Sequence, residues 1–276
     1  MKKVAIIGLE KKKEIFDFIS NFKKYNIDFD AFIRTEKDFE LYDKLNDKNI
    51  DITQYMCALS LGGDGTFLHT SRIFAGTDIP IMGINLGRFG FNTTIEIKDF
   101  DIIFKNFLEN KVEYEYKKLL DVEIEKEKEI YSVLNEGVIS HTGISRMIRL
   151  KVEVEGQSVC DFRGDGLIIS SPTGSTAYNL SAGGPILHPS VDAYVICPIC
   201  PHTLAIRPYI MPFSENIHIT VEESTAQPQI TLDGQKIIIL NIGQKIVFKK
   251  SKKSVKVVKG FKNFSEILKN KLGWIV

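Results

Sequence analysis

Residues 55–76 read YMCALSLGGDGTFLHTSRIFAG, an apolar run broken by Gly62, Gly63 and Gly65 around Asp64 and followed by a second apolar run. Glycines permit backbone conformations closed to other residues, so amide groups can point into open space at a helix N-terminus and form a seat for phosphate. A carboxylate in such a seat repels phosphate unless a metal ion or a transferable proton lies between them. Asp64 therefore points to chemistry; a bare Asp-Gly turn is the plainer alternative. In IYSVLNEGVIS, Asn135 and Glu136 offer an amide and a carboxylate that can accept hydrogen bonds from paired hydroxyls such as those of a ribose, although Asn-Glu-Gly also suits a turn. In residues 161–189, Arg163 and Asp165 precede an apolar run, and SSPTGSTAYNLSAGG follows. Its small residues let backbone approach a flat ligand closely, and Tyr178 offers a ring to stack on it; a tight Gly/Ser loop is the alternative. Neither G-x-x-x-x-G-K-[ST] nor G-x-G-x-x-G occurs. A P-loop ATPase and an ordinary dinucleotide-binding domain both lose ground, and a phosphate-and-ribose site of another kind remains.

The elements around these stretches follow from hydrophobic period. Residues 4–9 and 31–33 read as buried strands, with Ile15, Phe18, Ile19 and Phe22 at helical spacing between them. A strand ends near Leu61, and a helix with Phe67, Leu68, Ser71, Ile73 and Phe74 on its inward side runs to a cap at Gly76. IPIMGINLG is a further strand, and Phe100, Ile103, Phe104, Phe107 and Leu108 mark another helix. Alternating strand and helix predicts a parallel sheet with ligands at the carboxyl ends of its strands. After about residue 112 the period changes to two, through residues 112–116, 120–124 and 148–154, and Asp233-Gly234 reads as a hairpin turn. Helical spacing returns at Phe264, Ile267 and Leu268 in the tail.

The chain has 276 residues, 43% of them hydrophobic, enough for a substantial core and two domains. With 36 basic against 35 acidic residues, no nucleic-acid partner is expected and the ligand is small. The apolar core of the first residues is too short for a signal peptide, and no run approaches the roughly 18 apolar residues of a membrane span. A cytoplasmic protein without a membrane partner is the expectation. Four cysteines are too few for a disulfide framework; Cys197-x-x-Cys200, with His188 and His202 nearby, lacks a second ligand pair and carries prolines where a redox motif needs a helix start, so packed, inert thiols are expected. The lysine-rich FKKSKKSVKVVKG reads as the solvated side of an edge strand.

Taken together, Gly62-Gly63-Asp64-Gly65-Thr66, Asn135-Glu136 and GDGLIISSPTGSTAYNLSAGGP, in this order and spacing, resemble the NAD kinase family. INLGRFGF, PICPHTL and LDGQ extend the similarity over nearly the whole chain. The Gly-Gly-Asp-Gly turn alone is shared with diacylglycerol-type lipid kinases and phosphofructokinases; the long Ser/Thr/Gly segment is far more specific. The resemblance implies a Rossmann-like α/β domain over residues 1–98, with residues 258–276 packing back on it, and a β-rich, sandwich-like domain over 99–257 that binds NAD and carries the oligomer contacts.

By position the resemblance makes Asp64 the catalytic carboxylate, with Gly65 beside it at the substrate. Gly62, Gly63, Gly65 and Thr66 would face phosphate, and His69 would lie near it. Asn135 and Glu136 would hold ribose hydroxyls. Arg146, Arg163 and Asp165 would serve the nicotinamide side and the adjoining subunit. Thr176, Ala177, Tyr178, Asn179, Leu180 and Ser181 would line the NAD pocket, and Gln235 would close it. The implied substrates are NAD and ATP or polyphosphate, the metal is Mg²⁺ carried with ATP with no protein ligand assigned to it, and the assembly is a homodimer or homotetramer. Gly137 stands where the family commonly has an apolar residue, and Ala205 and Ile206 where small polar residues are common. A lipid kinase with the same glycine turn and a non-catalytic NAD(P)-sensing module are the rival functions. The first should lack the polar pocket, and the second needs no carboxylate in the turn.

Overall fold

The structure is a computed structural model that describes residues 2–9, 13–34, 51–87, 90–143, 147–203 and 205–273. The chain divides into two compact units, one of residues 1–117 with 254–276 and one of residues 118–253.

In the first unit β1 (Lys3–Leu9), β2 (Phe29–Arg34), β3 (Tyr55–Gly62) and β4 (Ile81–Asn85) lie parallel in the order β2-β1-β3-β4, with β5 (Ile95–Glu96) beside β4. β1, β3 and β4 are near-continuous apolar runs because both their faces are covered, whereas β2, at the end of that order, is not the buried strand its sequence suggests: Ala31 is exposed and Phe32 and Ile33 are half-buried. Helices α1 (Lys13–Phe22) and α3 (Ile97–Leu108) carry the expected amphipathic spacing, whereas α2 (Asp64–Phe74) is buried nearly all round, with Arg72 the one exposed residue of 66–74. Ile15, Phe18 and Phe22 of α1 and Phe100 and Phe104 of α3 enter one cluster with Ile6, Leu59 and Ile84, and the Phe22 and Phe104 rings meet edge to face at 5.3 Å. Each such buried side chain contributes about 1.5–3 kcal/mol. Gly76, just past α2, has φ +76° and donates to the Ser254 carbonyl, the left-handed stop expected of a C-terminal glycine.

The second unit is β-rich. One antiparallel sheet runs β13-β12-β11-β8-β15-β16, where β8 is Glu136–His141, β11 Gly166–Ser170, β12 Ala193–Ile199, β13 Tyr209–Pro212, β15 Pro228–Leu232 and β16 Lys236–Ile239. The other includes β6 (Tyr114–Ile124), β7 (Ile130–Val133), β9 (Ile148–Val154), β10 (Gln157–Gly164), β14 (Ile217–Ser224) and β17 (Lys245–Val258). Alternate residues of β9 and β14 point inward, and Val152, Ile219 and Phe248 pack with Ile139, Ile169 and Ile196 of the first sheet. The α/β unit and the β-rich unit are the fold class read from the sequence.

The structure adds detail at several further places. The period-two stretches at 114–116 and 120–124 form one unbroken strand, β6. β17, which carries the lysine-rich segment, pairs with β6 and, over residues 245–248 ahead of most of its lysines, with β14; Lys250 meets Asp192 and Lys249 meets Glu123. All four cysteines are free, but Cys200 is exposed, at φ +45°, while its neighbour Cys197 is buried. Gly137 leaves space for an aromatic ring, since a Cβ there would lie 2.6 Å from Cε1 of Phe248.

Candidate active site

The glycine turn sits where β3 ends and α2 begins. Gly63 caps α2, and its carbonyl accepts from the N–H groups of Thr66 and Phe67, both at 3.1 Å. A Cβ on Gly62 would lie 2.5 Å from Thr66 Oγ1, whereas Cβ atoms on Gly63 and Gly65 would meet nothing within 4 Å. Gly62 is thus required by packing, and Gly63 and Gly65 leave their surroundings open to a ligand. Thr66 and His69 are buried along α2.

Asp64, the first residue of α2, does more than face that opening. Its Oδ2 accepts from Phe91 N–H at 2.9 Å, and its Oδ1 from Asn92 at 2.9 Å and Thr93 at 3.3 Å. A carboxylate has about four acceptor positions, so one on Oδ2 remains after these three bonds. The loop after β4 is shaped to receive it. A Cβ on Gly90 would collide with Oδ1, and Asn85 fixes the other end of the loop by accepting from Gly87 N–H at 2.6 Å.

Three separate sequence stretches meet in the second unit. Asn135 and Glu136, at the entry to β8, are both buried. Ser171 N–H donates to the Asn135 carbonyl at 2.8 Å, and Ser171 Oγ donates to the Leu134 carbonyl at 2.5 Å. The Asn135 backbone passes so close to Gly174 that a Cβ there would overlap it. On the other side Asp233 accepts from the N–H groups of Leu134 at 3.0 Å, Asn135 at 2.7 Å and Glu136 at 3.3 Å. With its backbone gripped from both sides, the pair still leaves Asn135 Oδ1 and Glu136 Oε2 buried without a hydrogen-bond partner. Burial, aided by the Asp233 charge, pushes the Glu136 carboxyl up to about 8. Orphaned oxygens on two consecutive residues are an expensive arrangement unless a ligand supplies the donors.

The small-residue segment is fastened from within. Ser175 Oγ donates to the Pro172 carbonyl at 2.7 Å and accepts from Leu187 N–H at 2.9 Å. Asn179, fully buried, donates to the Ser175 and Pro185 carbonyls, both at 3.0 Å. Tyr178 is 46% exposed and Ser181 is exposed, whereas Thr176, Ala177 and Leu180 are half-buried. Gln235 is half-buried and closes the 232–235 turn by donating its N–H to the Leu232 carbonyl at 2.9 Å.

Arg163 and Asp165 are exposed and lie apart from that cluster of contacts. Arg163 pairs with Glu223 at 2.7 Å, and Glu223 also takes Arg149 at 3.0 Å. The Cys200 thiol hydrogen-bonds Asp165, which raises its pKa. Arg146 lies outside the described residues. Asp233, Gly90 and Gly174 were not singled out as site residues from the sequence. Asp233 was visible only as half of a turn signal, Gly90 within INLGRFGF and Gly174 within the small-residue run.

Residues 20–112 match the ATP-NAD kinase N-terminal domain and residues 134–260 the ATP-NAD kinase C-terminal domain. The NAD kinase of Aquifex aeolicus is 36% identical over 281 residues, covering 99% of this chain and 100% of that protein. That of Treponema denticola is 38% identical over 283 residues, covering 99% and 97%. Among solved structures, an NAD kinase from Archaeoglobus fulgidus in complex with ATP superposes with a TM-score of 0.78 at 25% identity, covering 97% of this chain and 98% of that one. Yeast NADH kinase complexed with NADH has the same fold, with a TM-score of 0.81 at 22% identity, covering 99% and 88%. Full-length relatives and both matched domains agree with the glycine turn and the orphaned Asn-Glu pair: the chain belongs to the NAD kinase family.

Proposed function

We propose that this protein transfers the terminal phosphate of magnesium ATP to the 2′-hydroxyl of the adenosine ribose of NAD, giving NADP. The observation that carries the site assignment is the pair of buried, unpartnered oxygens Asn135 Oδ1 and Glu136 Oε2. A ribose diol supplies the two missing donors. The full-length relatives favour this reading over a lipid kinase or a sensing module.

Phosphoryl transfer is catalysed mainly by positioning and by neutralising charge. In this reading the O2′–P bond forms as the bond between the terminal phosphorus and its bridging oxygen breaks, and ADP leaves. Asp64, held by three amides with one acceptor position on Oδ2 remaining, takes the hydroxyl proton. The N-terminus of α2, with Gly62, Gly63, Gly65 and Thr66, faces phosphate and favours it through the helix dipole, with His69 nearby. Tyr178 offers its exposed ring to a flat base within the pocket lined by Thr176, Ala177, Asn179, Leu180 and Ser181, and Gln235 closes that pocket. Arg163 and Asp165 serve the nicotinamide end.

The ion enters as part of the nucleotide substrate. Mg²⁺ keeps most of its ligands from water and phosphate and takes one or two carboxylates at most. Among the described residues no three His, Cys, Asp or Glu side chains gather into a metal site.

We further infer a homodimer or homotetramer joined through the second unit. Its six-stranded sheet ends on β16, where Ile237 is 61% and Ile239 54% exposed. Exposed apolar side chains on an edge strand call for cover. A cytoplasmic setting accords with four free cysteines, and no described helix is long and apolar enough to cross a membrane. Incubating the purified protein with NAD and magnesium ATP, and separately with diacylglycerol, tests the reaction. NADP formation without lipid phosphorylation is the expected result, and its reverse overturns the reading. Substituting polyphosphate for ATP identifies the donor.

A further inference from the structure

Asp233 takes no part in the reaction just described, yet it is buried and makes three hydrogen bonds to the backbone of the proposed ribose site. We propose that Asp233 is the positioning residue of that site: it grips the Leu134–Glu136 backbone so that Asn135 Oδ1 and Glu136 Oε2 are presented together to the diol. This rests on the reading of Asn135 and Glu136 as ribose ligands.

A turn alone does not require this carboxylate. Asp233 and Gly234 have φ of +50° and +63°, the two left-handed positions of a tight hairpin, and asparagine serves as well as aspartate at the first of them. In this turn the side chain is spent elsewhere, on the N–H groups of three consecutive residues. Two of those residues are the proposed ligands themselves. From the opposite side, Ser171 and the close approach of Gly174 hold the Asn135 carbonyl. The N–H and C=O of one residue are thereby fixed independently, which sets the direction in which the Asn135 side chain leaves the backbone.

The charge of Asp233 adds a second effect. Glu136 faces Ser170 across the β8–β11 pairing, while Gly137 pairs with Leu232 just before the 233–235 turn and packs on Phe248; Asp233 is the charged group among these neighbours. It favours the protonated form of Glu136, as burial does. A neutral carboxyl both donates and accepts, matching a diol whose hydroxyls do the same.

The test compares the full-length protein with its Glu136→Ala, Asp233→Ala and Asp233→Asn variants, measuring kcat, KM for NAD and KM for ATP between about pH 6 and 9. Glu136→Ala, which removes the ligand group, should raise KM for NAD about tenfold or more. Asp233→Asn should also raise it severalfold, with a much smaller change in kcat or in KM for ATP. The midpoint of its KM–pH profile should move to lower pH, because the charge opposing ionisation of Glu136 is gone. If Asp233→Ala does not fold, Asp233→Asn, which keeps one acceptor for the amides, decides. Failure of Asp233→Asn to fold as well, or parallel changes in kcat and both KM values with an unmoved pH midpoint, would assign Asp233 to the fold alone and overturn the proposal. Normal KM for NAD in Asp233→Asn with a raised KM in Glu136→Ala rejects the Asp233 role while sparing the ribose site. Normal KM in Glu136→Ala rejects the ribose site and the proposal with it.

Discussion

Gly90 leaves the space that Asp64 fills: a Cβ on Gly90 would lie 2.8 Å from Asp64 Cγ and closer still to Oδ1. The loop after β4 therefore folds onto this carboxylate, and a methyl group at residue 90 can be accommodated only by moving one or the other. Gly90→Ala should lower kcat for NADP formation by at least about tenfold while leaving the carboxylate chemically intact, since small misplacements of a catalytic group are costly. Overpacking of this kind costs about 1–3 kcal/mol, so the melting temperature should drop by several degrees. Steady-state kinetics beside a thermal melt checks both, and wild-type kcat in a folded variant would show that the Asp64 position is not critical.

Glu136 makes stability fall with pH. Its carboxyl is raised to about 8 in the folded chain, above the ordinary range near about 4.3 of an unfolded one. The folded state therefore holds a proton that the unfolded state has lost, and the favourable contribution, complete below the unfolded value, disappears as pH rises through about 8. Glu136→Gln cannot ionise. Its melting temperature should decline less between about pH 5 and 8.5 than that of the parent, and the variant should be the more stable protein at the upper end. Parallel melting curves across that range would mean that Glu136 is not held protonated.

Much of this was legible in the sequence, for identifiable reasons. Apolar runs and helical spacing both follow burial, so β1, β3, β4 and the inward faces of α1 and α3 could be read directly. The glycine turn and Asn135-Glu136 stood out because each interrupts an apolar run with polar or glycine residues. What failed to show was anything that depends on a distant partner. Asp233 lies 98 residues from Asn135 along the chain, and Gly90 owes its identity to a side chain that begins α2. The lysines of β17 mark a solvated stretch, but alternation does not tell which strands pair beside it: β14 joins β17 over residues 245–248.

The β16 edge should govern assembly. Ile237 and Ile239 are exposed on a terminal strand, and lysine at either position blocks edge pairing and adds charge to an apolar contact. Ile237→Lys together with Ile239→Lys should shift the protein toward the 31.2 kDa monomer in sedimentation without lowering its melting temperature greatly. A parent protein that sediments as a monomer at micromolar concentration contradicts the proposed oligomer, and an unchanged oligomer in the double variant places its interface elsewhere.

Asp64→Asn tests the proton-accepting role most directly, and the amides around Asp64 sharpen what to expect. Asparagine has one oxygen where aspartate has two, so it can satisfy Asn92 and Thr93 through Oδ1 but presents an N–H donor to Phe91 N–H. One unsatisfied amide costs about 1–3 kcal/mol, which should register as a modest fall in melting temperature without loss of the fold. Loss of a positioned base should lower kcat by about 10²–10⁴, while NAD, held in this reading through Asn135 and Glu136, still binds. Because the loop is also disturbed, the comparison that decides is with Gly90→Ala, which disturbs the same contact and keeps the base. A kcat far below that of Gly90→Ala at a similar melting temperature assigns the loss to proton acceptance. Equal kcat values in the two variants would make Asp64 a residue that shapes the loop, and the 2′-hydroxyl would need another proton acceptor.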